Sequence, residues 1–155
     1  MQPRNCQTIE QMEEKINGGF SRSITLPNDV RDVPLLANFI DEVCEELGID
    51  MAMTMQLNLA MEEAVVNVMS YAYPEGEEGK VNVSVDSDGK TLRFVISDHG
   101  TPFDPTTKAE VDTTLPAESR SIGGLGIHLI RSIMDETIYD RVDDMNVLTL
   151  VKKMK

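Results

Sequence analysis

The sequence is short of cations, of cysteine and of long apolar runs, and each shortage closes off a class of function. Lys and Arg together number 14 against 27 Asp and Glu, giving a formal net charge of −13. That balance disfavours non-specific binding to nucleic acid or to an anionic membrane and favours a basic protein partner. The two cysteines, Cys6 and Cys44, are too few for a disulfide framework and lack the spacing of a metal site. Cys44 falls in a helical stretch and reads as a buried thiol, which fits a reducing compartment. No apolar run reaches the length of a membrane span, and the opening MQPRNCQTIE lacks the apolar stretch of a secretory signal. A cytoplasmic location is expected. Repeats and low-complexity tracts are also missing. What is present is 155 residues at 41% hydrophobic, one domain's worth of chain with material for an ordinary core.

Residues 1–19 read as a polar N-terminal arm, with Ile9, Met12 and Ile16 at near-helical spacing, and residues 20–155 as a single domain. Phe20 to Leu26 alternates as a half-buried strand until Pro27, and Asn28 or Asp29 can cap a helix running to about Leu47, where Gly48 closes it. Asp50 opens a second, longer helix that ends near Tyr73. After the turn chemistry of PEGEEG come two alternating strands joined at Asp88-Gly89, a strong hairpin signal. The stretch 101–122 has no periodicity of its own and reads as a lid. A glycine-rich run then leads into an amphipathic helix of about three turns, followed by two strands with Asp143-Asp144 as the turn between them. The order predicts an α+β fold, a two-layer sandwich with helices gathered on one face of a mixed sheet.

Three places carry chemistry. On the long helix, Gln56, Glu63, Asn67 and Ser70 fall within roughly 60° of one another, while Thr54, Asn58 and Glu62 gather on nearly the opposite side. A helix laid on a sheet has one solvent face, so one stripe is solvated and the other looks into a cavity or across a partner surface. Glu63 and Asn67, at i, i+4, offer a proton acceptor and an oxygen for a hard cation, but the helix alone leaves open whether they are simply wet. Asp98 ends a strand with Gly100 two residues on. A carboxylate there either accepts a hydrogen bond from an exocyclic amine beside a close-approaching backbone or merely starts a turn. Gly123, Gly124, Leu125 and Gly126 at a helix start offer free backbone N–H groups and a helix dipole to an anion, or serve a plain turn. They are not a Walker A loop, because no Lys-Ser or Lys-Thr follows, nor a Rossmann fingerprint, because no strand precedes them.

Taken in order, these elements resemble the GHKL ATPases, whose fold is the Bergerat (histidine-kinase-like ATPase) type, and within them the RsbW-type anti-sigma factor serine/threonine kinases. The run Glu63-Ala64-Val65-Val66-Asn67 with Ala72-Tyr73 looks like the family's N box, Asp98 to Pro105 like its G1 box, and Gly123 to Ile130 like its G2 box. The similarity spans roughly residues 20–152. It implies that Asn67 coordinates Mg²⁺ on the phosphates of ATP and that Asp98 binds the adenine amine beside Gly100. It also implies that the Gly123–Gly126 backbone, Leu125 included, holds the phosphates beneath the lid, and that Glu63 acts as general base. Lys108 and Arg120 are the lid's cations for the γ-phosphate. Two positions depart from the family pattern: Tyr71 stands where a His is common, and Met145-Asn146 replaces the Gly-Thr before the last strand. His99 and His128 are isolated and read as surface or packing residues.

The resemblance implies an ATP-dependent kinase that binds a sigma factor and phosphorylates a serine or threonine on a STAS-type anti-anti-sigma protein. Such a protein would be a homodimer through its sheet or first helix, with no direct contact to nucleic acid or membrane. The reading from another class is a non-catalytic, ATP-dependent binding module. Retention of Glu63 favours the enzyme.

Overall fold

The computed structural model describes residues 19–73, 78–107 and 122–154. In β2 (Lys80–Ser87) and β3 (Thr91–Asp98), Val81, Val83, Val85, Leu92, Phe94 and Ile96 are buried. The residues between them are half-covered or exposed, because successive strand side chains point to opposite faces. With β1 (Phe20–Pro27), β4 (Glu136–Val142) and β5 (Met145–Lys153), β2 and β3 form, among the described residues, a five-stranded sheet of order β1-β2-β3-β5-β4. Both expected hairpin turns form, at Asp88-Gly89 and at Asp143-Asp144, where φ values of 49° and 64° give the mirror-image turn that matches strand twist.

The expected mixed sheet is corrected: all four neighbouring pairs are antiparallel. The connections explain it. Two helices intervene between β1 and β2, so the chain returns to the end where β1 stopped, and Pro27 pairs with Lys80. A single helix intervenes between β3 and β4 and brings β4 back parallel to β3, but β5 inserts between them and runs against both.

Among the described residues, three helices cover the buried face. Asp29 caps a short 3-10 turn, Val30–Asp32, by accepting from the Arg31 amide; α1 (Val33–Leu47) follows with Pro34 in its first turn, where a missing N–H is harmless. Gly48 ends α1 at φ 68°, a conformation that suits glycine, and the amides of Gly48 and Ile49 satisfy the last carbonyls at Glu45 and Cys44. Asp50 then caps α2 (Met51–Tyr71) by accepting from the Met53 amide at 2.8 Å. α3 (Ile122–Ile133) lies on the other side of α2 from α1 and sends Ile127 and Ile130 into the core. Cys44 is buried as expected, and burial pushes its thiol above the usual range. The N-terminal arm, apart from Gly19, lies outside the described residues.

The opposite sheet face carries Asn82, Ser84, Val95 and Thr149, all only partly covered. This one-sidedness is testable on neighbouring residues of β3. Phe94→Ala is expected to lower stability by roughly 3–5 kcal/mol and Val95→Ala by about 1 kcal/mol or less, read from urea denaturation midpoints.

Candidate functional site

Alternation along β3 puts Leu92, Phe94, Ile96 and Asp98 on the helix-covered face, so a carboxylate occupies a position where an apolar side chain would ordinarily pack. Asp98 is 2% exposed. Its Oδ1 accepts from the Gly100 amide at 2.8 Å and from the Asn146 carboxamide at 3.0 Å, while Oδ2 is buried without a partner. Burial pushes the Asp98 carboxyl above 3.8; the hydrogen bonds from Asn146 and Gly100, with the positive charges of Arg141 and His99, pull the other way. An orphaned buried oxygen of this kind is worth about 1–3 kcal/mol to any ligand that brings it a donor.

Gly100 closes the site against α2. A Cβ there would sit 2.4 Å from the Ala72 carbonyl oxygen and 2.9 Å from Asp98 Oδ1, so only glycine lets the backbone approach. The Thr101 amide and hydroxyl both donate to that same Ala72 oxygen, at 2.7 and 3.0 Å. The end of β3 is thereby fastened to the C-terminal end of α2. Phe103 stacks on Tyr71 with ring centroids 5.4 Å apart, and the Tyr73 hydroxyl donates to the Lys80 carbonyl and accepts from the His99 amide.

Asn146 was noticed in the sequence only as a departure from a family pattern, yet its carboxamide is saturated. The nitrogen donates to Asp98 Oδ1 and to the Thr101 carbonyl, and the oxygen accepts from the Phe103 amide and the Tyr139 hydroxyl. Antiparallel register sets Asn146 directly across from Asp98. The signal that could have found it is period two: Asn146, Leu148 and Leu150 share the inward face, so a polar residue leads an otherwise apolar row. Arg141, on the neighbouring β4, adds a donor to the Gly100 carbonyl at 2.9 Å.

On α2 the expected polar stripe divides. Asn67 is 4% exposed, with its amide nitrogen unpartnered; Glu63, one turn earlier, is half-buried, and Gln56 and Ser70 face solvent. The other stripe faces α1 at Asn58, which donates to Asp41, while Thr54 donates to the Asp50 carbonyl at the cap of α2 itself. Rotating the Asn67 carboxamide by half a turn exchanges nitrogen for oxygen, so the position offers either a donor to an anion or an acceptor to a cation. Among the described residues no cluster of three His, Cys, Asp or Glu side chains could hold a metal by itself. A hard cation held at Asn67 would therefore draw its other oxygens from a ligand and from water, as Mg²⁺ commonly does.

Gly123, Gly124, Leu125 and Gly126 lie in the first turn and a half of α3, which opens at Ile122; the amides at its very start have no intrahelical acceptor, whereas Gly126, four residues on from Ile122, is paired within the helix. α3 packs along α2, and Arg131 ties it to the Thr106 carbonyl in the 3-10 turn Pro105–Thr107. Asp98, Gly100 and Asn146 are thus hydrogen-bonded together, and Ala72, to which they are fastened, lies about a turn and a half beyond Asn67. Lys108, Arg120 and most of the expected lid lie outside the described residues. His99 and His128 are exposed.

Asp98→Asn keeps an oxygen for Gly100 and Asn146 while removing the buried charge. The folded pKa lies above the unfolded one, so the wild type loses stability as pH rises through the window that begins near 3.8. The stability advantage of Asp98→Asn is therefore expected to grow with pH across that window and then level off, as read from urea melts at several pH values. Asn146→Ala strips four hydrogen bonds and is expected to lower stability by about 2–3 kcal/mol.

Residues 26–152 match the family model described as histidine kinase-like ATPase domain. A serine-protein kinase RsbW from Listeria monocytogenes is 30% identical over 118 residues, covering 74% of this chain and 75% of its own. The Staphylococcus aureus RsbW is 32% identical over 143 residues, covering 88% of this chain and 75% of its own. An anti-sigma F factor from Anoxybacillus flavithermus is 30% identical over 102 residues, covering 64% of this chain and 68% of its own. The solved RsbU and RsbW domains of a Mycobacterium tuberculosis protein share the fold at a TM-score of 0.61 and 16% identity; the match covers 85% of this chain and 31% of that one. Among the described residues no helix is long and apolar enough to cross a membrane. With the match running over most of its length, the chain belongs to the histidine kinase-like ATPase family, in its RsbW-type branch.

Proposed function

We propose that this protein is an ATP-dependent serine/threonine kinase that binds a sigma factor and phosphorylates a STAS-type anti-anti-sigma protein in the cytoplasm. The observation that carries the nucleotide half of this reading is the Asp98 carboxylate, buried with Oδ2 unpartnered beside a glycine whose backbone packs against Ala72. Asp98 accepts the adenine amine and rejects guanine, whose carbonyl at that position would meet a second acceptor. The free amides at the start of α3, Gly123 and Gly124 among them, cradle the phosphates, and Asn67 contributes an oxygen to Mg²⁺. Bound Mg-ATP supplies the phosphoryl group and the charge that neutralises it in transfer.

Glu63 takes the proton from the attacking serine or threonine hydroxyl. It shares a helix face with Asn67 one turn away, so base and cation ligand are set on one rigid element. Lys108 and Arg120 are the cations offered to the γ-phosphate from the lid, and the working unit is a homodimer. The partner half of the reading is supported by relatives named as serine-protein kinases and as an anti-sigma F factor. A non-catalytic ATP-dependent binding switch is the second reading.

Labelled ATP, the protein and a purified STAS-domain protein separate the two. The wild type is expected to label a serine or threonine of the STAS protein, and Glu63→Gln to slow labelling by about 10²–10⁴-fold. Glu63→Gln should keep the Mg-ATP stabilisation, roughly 2.7 kcal/mol at a hundredfold excess over Kd, whereas Asp98→Asn should abolish it. Equal labelling by Glu63→Gln and wild type would remove Glu63 as the base. No stabilisation of the wild type by Mg-ATP would remove the nucleotide site altogether.

A further inference from the structure

The described helices lie on one face of the sheet and leave the other open. Cross-strand register sets Val95, Thr149 and Ile138 in one row of that open face, with Val147 and Val151 two residues to either side of Thr149. Ile138 is 50% exposed, as is 44% of Val142 further along β4, and the three valines of the strip are only partly covered. Cations close the strip at the end of the sheet away from Asp98. Arg93 lies across from Val151, Lys153 follows two residues on, and Lys90 stands at the adjoining hairpin; all three are exposed. Arg93 also meets Asp86 at 3.0 Å, an exposed pair of small worth. Glu136 and Asp140 line the far edge on β4. An uncovered apolar strip rimmed by charge has the form of a docking surface.

The segment that fits this strip is the chain's own N-terminal arm. β1 is an edge strand and Phe20 pairs with Ser87, so residues 1–18 enter at the same end of the sheet as Lys90, Arg93 and Lys153. Neighbouring strands lie about 5 Å apart, which puts Arg93 about 10 Å from β1. Ile16, four residues before Phe20, can reach about 13 Å, and Gly18-Gly19 permits the reversal. At helical spacing Ile9, Met12 and Ile16 form one stripe, with Glu10 and Glu13 on one flank and Lys15 on the other. Charge excludes the helical layer as the bed, because Glu42, Glu45 and Glu46 gather at the end of α1, where Glu46 meets Arg22 of β1. A second copy reaches the strip only from solution, whereas a tethered arm acts at an effective concentration of about a millimolar. We propose that residues 1–18 fold back over the open face, laying Ile9, Met12 and Ile16 on Val95, Val151 and Ile138 and setting Glu10 and Glu13 against Arg93 and Lys153. The arm precedes residues 26–152, which match the family model, so this cover belongs to the chain and not to the shared domain. It stands whether or not the chain transfers phosphate.

The test uses the full chain carrying a nitroxide at Cys6, Cys44 being buried, and ¹³C at its isoleucine, valine and methionine methyls. Paramagnetic broadening is expected at Ile138, Val147 and Val151 and not at Met51 and Met55, which are exposed on the helical layer. Ile138→Asp, read at Val147 and Val151, should release the arm and abolish most of the broadening. Glu10→Lys combined with Glu13→Lys should do the same while leaving every residue of the sheet and helices as it was. Broadening centred on Met51 and Met55, or broadening that survives both Ile138→Asp and the double lysine variant, would overturn the proposal. So would broadening that persists when nitroxide and ¹³C are carried by separate molecules mixed in one sample, because the strip would then hold a second copy.

Discussion

A carboxylate set beneath a layer of helices survives only if enough donors reach it, and the hydrogen bond from Asn146 to Asp98 is where that condition is met. The cross-strand pair joins the last residue of β3 to the opening of β5, and the same carboxamide gathers the Thr101 carbonyl, the Phe103 amide and the Tyr139 hydroxyl. One side chain therefore shapes the loop after β3, the pairing of the two central strands and the orientation of the acid. What it leaves unsatisfied is as informative. With Oδ1 occupied from two sides, Oδ2 is the atom left to an incoming donor, so any selectivity of the proposed nucleotide site would follow from which half of the acid the fold has already used.

The same logic sorts the polar residues of α2. Gln56, Glu63, Asn67 and Ser70 share a helix face on paper, but the sheet and α3 cover only its inner edge, so Asn67 is enclosed and Glu63 sits at the margin. In the proposed reading, a base meeting a protein substrate would benefit from the margin, and a group ordering phosphates and a cation would benefit from enclosure. The division of burial along a single turn of helix is consistent with a division of labour between them.

Much of this was legible in the residues themselves. Asp50 and Gly48 marked helix boundaries because caps have chemical signatures, Asp88-Gly89 and Asp143-Asp144 marked hairpins because left-handed turns do, and alternation located every strand. Strand order was not legible. Alternation says which way a side chain points and nothing about which strand lies beside it, so the insertion of β5 between β3 and β4 was missed and the sheet was expected to be mixed. Asn146 escaped for the same reason, since its meaning lies in a register that places it opposite Asp98, nearly fifty residues earlier in the chain.

The strand order also carries a kinetic consequence. The β2–β3 and β4–β5 hairpins close over short turns and can nucleate early, whereas Leu26 cannot meet Val81 until the whole helical pair between them has been gathered in. On loop-closure grounds β1 is expected to join the sheet after these two hairpins. A chain emerging from its N-terminus holds this strand unpaired until β2 has been made, its inward apolar ends at Phe20 and Leu26 waiting for neighbours that come afterwards.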